Sequence, residues 1–244
     1  MSRALDRWMI ITAVIAVAFA MCAFFFRSES PSTALSEERI VPFCEYIEIN
    51  VLQLDITIIP TDEEDIRISY KSEVPLTFDV GDNSLYISES DEFVISLFAG
   101  SGEDFGLRLY LPQRIYREVV VYSTSGSVSM RSINSEKVTV VTNSGDITAE
   151  DTRSLVDLIS GTGDVTLDYG VIIPESSVQL RKGNAKVMIP EGTPISVDFE
   201  TESGMLTSDM ISGSYAGSYV YSFNGGEKLI HASLDSGVLT IKEK

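Results

Sequence analysis

An all-β chain is predicted, wound as a β-solenoid of the parallel β-helix kind in coils of about 20 residues and preceded by one N-terminal transmembrane helix. Three observations predict it. Apolar and polar residues alternate through most of the chain, glycines recur at near-regular spacing with apolar residues at fixed offsets, and one long apolar run lies close to the N-terminus.

The apolar run comes first. Trp8 to Phe26 is a stretch of 19 residues whose only polar member is Thr12. At about 1.5 Å per residue it reaches roughly 28 Å, close to the thickness of a bilayer's hydrocarbon core. Ala18-Phe19-Ala20 resembles a signal-peptidase site, so a cleavable leader is the rival reading. The run continues through Met21, Cys22 and Phe24-Phe25-Phe26, which favours an uncleaved anchor. Arg3 and Arg7 precede it, whereas Arg27 is followed by Glu29, Glu37 and Glu38. The positive-inside tendency then leaves residues 1–27 as a cytoplasmic tip and single-pass anchor, with the rest extracytoplasmic. Residues 28–40, polar and interrupted by Pro31, read as a flexible stalk. Residues 41–244 read as the folded domain.

Composition limits what that domain can do. The chain of 244 residues carries 18 basic and 36 acidic side chains, a formal net charge of -18, and removing residues 1–27 leaves -20. Such acidity argues against nucleic-acid binding, which needs Lys and Arg to neutralise phosphates. Two cysteines and one histidine do not make a zinc site, and Cys44 is the only cysteine beyond the anchor. No cofactor is expected.

The solenoid emerges when the chain is aligned on Gly126, Gly145, Gly163, Gly183, Gly204 and Gly237. Seven residues before them stand Val119, Val138, Val156, Ser176, Val197 and Ile230; five before stand Val121, Val140, Leu158, Val178, Phe199 and Ala232. Two after come Val128, Ile147, Val165, Ala185, Leu206 and Leu239; four after come Met130, Ala149, Leu167, Val187, Ser208 and Ile241. The glycines are 19, 18, 20, 21 and 33 residues apart. Each coil would comprise an inward-facing strand, a tight corner and a second inward-facing strand, burying its apolar face only by stacking on neighbours. Ser or Thr precedes every corner glycine except Gly183, which follows Lys182. A β-sandwich of hairpins is the competing fold.

Outside the six repeats the pattern loosens. Val74, Leu76 and Phe78, followed by Gly81-Asp82 and then Leu85 and Ile87, fit an earlier, degenerate coil, and Phe98 to Gly106 reads as a loop. An insertion from Ile211 to Gly226, rich in Gly, Ser and Tyr, separates the last two repeats. Its Tyr215, Tyr219 and Tyr221 alternate. They would form either a stacking surface for a ligand or a hairpin that covers the open end of the solenoid.

TSGSVSM (124–130), NSGDITAE (143–150), GTGDVTLD (161–168) and DSGVLTIKE (235–243) resemble the repeat units of a bacterial putative-adhesin family of unknown function, with LiaG-like, membrane-anchored members. The resemblance covers about residues 43–244. It implies a β-solenoid, a link to envelope stress for some members, and no catalytic residues to carry over.

Candidate chemistry is sparse. Asp146 and Asp164 sit at equivalent places on their coils and could form a cation-binding column, but Asn184 takes the same place and turns favour all three. His231 lies on an outward position without a second imidazole and reads as a surface residue. Arg181, Lys182 and Lys186 gather near Asp164 and Asp168, where they would offset repulsion between carboxylates. The leading expectation is a non-enzymatic, extracytoplasmic binding or scaffolding surface, with an envelope protein or glycan as partner and self-association through the solenoid ends as a further route. The alternative is a β-helical enzyme acting on envelope carbohydrate.

Overall fold

The computed structural model describes residues 35–89, 106–172, 175–210, 214–226 and 228–244. The apolar run at 8–26 and the first part of the stalk lie outside them, as do residues 98–105 of the expected loop.

Every regular element among the described residues is a strand. In chain order they are β1 (Leu35–Val41), β2 (Tyr46–Val51), β3 (Ile56–Thr61), β4 (Ile66–Ser72), β5 (Leu76–Val80), β6 (Ser84–Glu89) and β7 (Gly106–Pro112). Then follow β8 (Tyr116–Ser123), β9 (Val128–Arg131), β10 (Ser135–Ser144), β11 (Ile147–Thr152), β12 (Leu155–Thr162), β13 (Val165–Tyr169), β14 (Ser176–Lys182) and β15 (Ala185–Ile189). The last six are β16 (Ile195–Thr201), β17 (Met205–Ser208), β18 (Ser214–Ala216), β19 (Tyr219–Phe223), β20 (Lys228–Ser236) and β21 (Val238–Glu243).

They form two sheets around one core. The 11-stranded sheet runs β1-β4-β7-β3-β9-β11-β13-β15-β21-β17-β18, and the 10-stranded sheet runs β19-β16-β20-β14-β12-β10-β8-β2-β6-β5. Every pairing from β7 to β17 in the first sheet and from β16 to β6 in the second is parallel, and each coil contributes one strand to each sheet. Of the 24 positions aligned on the corner glycines, all but the half-buried Ser208 are buried. Ser176, polar at an inward position, is accommodated because its Oγ accepts the Val156 N–H at 3.2 Å. An inward hydroxyl is tolerated only with such a partner.

The corner glycines stand in one column, and close approach explains their identity. A Cβ on Gly145 would meet the Gly126 carbonyl oxygen at 2.4 Å, one on Gly163 the Gly145 oxygen at 2.4 Å, and one on Gly183 the Gly163 oxygen at 1.9 Å. The Ser or Thr before the glycine donates its hydroxyl to the adjacent coil: Ser144 to the Thr124 carbonyl at 3.4 Å, Thr162 to Asn143 at 3.4 Å and Ser236 to Arg181 at 3.4 Å.

The order of coils differs from the order of repeats. The β20–β21 coil, last in sequence, lies between the β14–β15 and β16–β17 coils, and the β2–β3 coil lies between β6–β7 and β8–β9. The 33-residue spacing has its explanation here. The insertion carries the chain from β17 around the outer side of β16 before it returns to β20.

Two expectations are corrected. Residues 35–40, read as the end of a stalk, belong to β1, which pairs antiparallel with β4. Its side chains are mostly exposed, so no alternation betrays it. The stretch from Leu76 to Ile87 is an antiparallel β5–β6 hairpin, not a coil; β6 instead forms its coil with β7. The three tyrosines of the insertion divide between the two end strands. Tyr215 lies on β18 opposite Leu206, at the end of the 11-stranded sheet, whereas Tyr219 and Tyr221 lie on β19 at the end of the other.

Candidate functional site

Most of the sequence-derived candidates prove to be used internally. Asp164 N–H donates to Asp146 Oδ1 at 2.8 Å, Asn184 N–H donates to Asp164 Oδ1 at 2.8 Å, and Val238 N–H donates to Asn184 Oδ1 at 3.2 Å. The column is a ladder of side-chain acceptors tying one coil to the next. No cluster of metal-ligating side chains occurs among the described residues. Asp168 pairs with Lys244. The expected neutralisation by Arg181, Lys182 and Lys186 is not seen: the three divide between the two sheets, on β14 and β15, and make no ion pair among the described residues.

His231 stands on the outer face of the 10-stranded sheet, with Nδ1 3.3 Å from Asp198 Oδ2. Ser177 adjoins it in register on β14, so serine, histidine and aspartate lie on three neighbouring strands. The Ser177 hydroxyl, however, donates to Asp157 Oδ1 at 2.9 Å, away from the imidazole. Backbone N–H groups of paired interior strands are consumed in the ladder, so none remains to hold an oxyanion. The row has acyl-transfer residue types without the geometry.

Tyr219 and Tyr221 oppose the buried Phe199 and Val197 across the β16–β19 pair. Tyr221 packs against the core and stacks on Phe223 with ring centroids 5.4 Å apart. Tyr219 remains 43% exposed. β19 thus closes the core at this end, and β18 pairs with β17 at the end of the other sheet.

A different feature has the form of a binding site. An open groove of about 480 Å³ crosses the outer face of the 10-stranded sheet. One side is an apolar stripe made by Tyr122 on β8, Val141 on β10 and Ile159 on β12, adjacent in register. Tyr122 is 41% exposed, and the other two are half-buried. Gln179 and Ser233 continue the row. The parallel row, two residues along each strand, comprises Thr124, Asn143, Gly161, Arg181 and Asp235.

Gly161 makes the floor. A Cβ there would meet the Asn143 backbone carbonyl oxygen at 2.4 Å, with Asn143 Oδ1 3.2 Å and an Arg181 guanidinium nitrogen 3.3 Å away. A side chain there would fill the space over which the amide and the guanidinium converge. The sequence reading missed this stripe. Its signal was present: alternation fails at Val119-Val120-Val121-Tyr122, Val140-Val141 and Leu158-Ile159, putting apolar residues on an outward row.

A family model described as Toastrack DUF4097 matches residues 44–172 and 118–242. No curated protein matches the chain. Among solved structures, a putative cell adhesion protein from Clostridium sporogenes is 14% identical, with 87% of this chain and 100% of the other covered and a TM-score of 0.53. A putative adhesin from Bacteroides fragilis is 14% identical over 86% of this chain and 97% of its own, with a TM-score of 0.35. A putative lipid binding protein from Parabacteroides distasonis is 10% identical over 86% and 96%, with a TM-score of 0.33.

Proposed function

Because this chain belongs to the Toastrack DUF4097 family, and its solenoid-like fold offers an open groove on one sheet, we propose that it is a non-enzymatic binding or scaffolding protein of the bacterial cell envelope. It is held by a single N-terminal span with the domain outside the membrane, and it operates within an envelope stress response. The observation that carries the binding role is the groove over Gly161, with Arg181 left outside any ion pair among the described residues. A guanidinium beside side-chain amides in a concave surface is a recognition feature. The apolar run at 8–26 and its basic flank support the anchor and its orientation. Among the described residues, no helix is long and apolar enough to cross a membrane.

The test is protease added to intact cells that make the full chain with a C-terminal tag. The tag is expected to be lost while a cytoplasmic marker survives. A tag protected until the cells are lysed would overturn the extracytoplasmic assignment.

A further inference from the structure

The groove has a definite chemical character, and we infer that it binds an uncharged, hydroxyl-rich glycan segment. The inference rests on the proposed binding role and adds the ligand class and the residues that read it. Three features select that class.

The first is the pairing of an apolar stripe with a polar row. Tyr122, Val141 and Ile159 offer a nearly continuous apolar strip along one side. A pyranose ring has a C–H face that packs on such a strip while its hydroxyls point away to the side. On the other side Asn143 and Arg181 converge over Gly161, and Gln179 extends the apolar stripe with an amide. Amides donate and accept, and the guanidinium donates through a planar fork, which suits vicinal hydroxyls and acetamido oxygens.

The second feature is charge. Arg181 shares the groove with Asp235, so the lining is balanced. The chain as a whole carries -18. A polyanion would approach against that field and find one guanidinium to offset it. An uncharged chain pays no such cost.

The third feature is the state of the backbone. β8, β10, β12 and β14 are each paired on both sides. Their N–H and C=O groups are engaged, so an extended peptide cannot dock by adding a strand, which is how peptides commonly gain affinity on a sheet. Recognition here must come from side chains, and those present are the hydroxyl-matching kind.

The experiment uses the full chain in detergent, titrated by calorimetry with β-1,4-linked hexamers of glucose and of N-acetylglucosamine, an α-linked mannose hexamer, a galacturonate hexamer and an Ala-Gly hexapeptide. At least one neutral hexamer is expected to bind, and the galacturonate hexamer and the peptide to bind at least about tenfold more weakly. Tyr122→Ala and Arg181→Ala are each expected to weaken the neutral hexamer at least about tenfold, as truncation of aromatic and arginine anchors does. Lys186→Ala, on the other sheet, should leave it within about twofold. All three side chains are on the surface, and unchanged melting midpoints would show that the fold is kept. The inference is overturned if no neutral hexamer binds at millimolar concentration, if both groove variants bind like the parent, or if the galacturonate or the peptide is preferred. A domain accessible to protease on intact cells with no neutral hexamer bound would sink the ligand assignment alone. A domain protected inside the cell would sink the envelope reading.

Discussion

At the scale of single residues, the corner glycines make the sharpest claim. Gly163 has φ near 140°, and its Cβ would lie 2.4 Å from the Gly145 carbonyl oxygen. Neither backbone can give way without breaking the column. Gly163→Ala is therefore expected to cost at least about 3 kcal/mol in urea unfolding. Gly192 is the comparison: its φ is 71°, but nothing lies within 4 Å of the added Cβ. Gly192→Ala should cost only about 1 kcal/mol, the left-handed backbone alone. Equal costs at the two positions would mean that close approach does not set the repeat.

Glu37 gives a second residue-scale claim, on the edge strand β1. Arg39 donates to its carboxylate, and the Tyr70 hydroxyl donates at 2.8 Å. These bonds hold Glu37 below the usual carboxylate range, the Arg39 contact first. A depressed folded value means stability that is present above the unfolded pKa and lost as pH falls through the folded one. Glu37→Gln should then speed hydrogen exchange in β1 at about pH 7 and change nothing at about pH 2. A difference that persists at the acid end would assign the effect to packing.

At the scale of elements, legibility varied with how a strand earns its place. The strands that flank the glycines were readable, because the corner fixes their phase and inward positions such as Val140, Leu158 and Ile147 must be apolar. β1 was not readable. Ile40 is 68% exposed and the strand is held by its ladder to β4 and by contacts such as Arg39 over the Phe78 ring, so its sequence looks like linker. The groove was half readable: the apolar stripe shows as broken alternation, whereas the convergence of Asn143 and Arg181 over Gly161 joins residues on three strands and appears only in three dimensions.

The end strands carry an element-scale prediction. β18 and β19 pair antiparallel with β17 and β16, and without them those two parallel strands would present open edges. Exposed edges recruit other chains. Replacing residues 209–226 with a short Gly-Ser linker is expected to turn a monodisperse species into concentration-dependent oligomers in sedimentation velocity, with Gln179→Ala as a control that stays unchanged. A monodisperse deletion would show that the insertion does not act as an edge cover.

At the scale of the whole molecule, coil order was illegible for a physical reason. Every coil has the same phase and the same apolar offsets, so any coil can stack on any other. A local pattern specifies which way a side chain points, not which coil lies beside it. What decides adjacency is the connection: the insertion must pass around β16 and β17 to cap both sheets, and this delivers β20 to the far side of β16. The groove depends on that stacking, since Gln179 and Ser233 become neighbours only when the last coil follows the fourth repeat.

The most direct test is cysteine crosslinking in a chain whose Cys22 and Cys44 are replaced by alanine. Register places Gln179 beside Ser233 and Ser233 beside Glu200, with Gln179 and Glu200 one full coil further apart. Disulfides need Cα atoms within about 7 Å. Mild oxidation should therefore join the pair made by Gln179→Cys and Ser233→Cys, and also that made by Ser233→Cys and Glu200→Cys, while Gln179→Cys with Glu200→Cys stays reduced. A bridge between positions 179 and 200, with none between 179 and 233, would mean that the coils stack in chain order and would contradict the account.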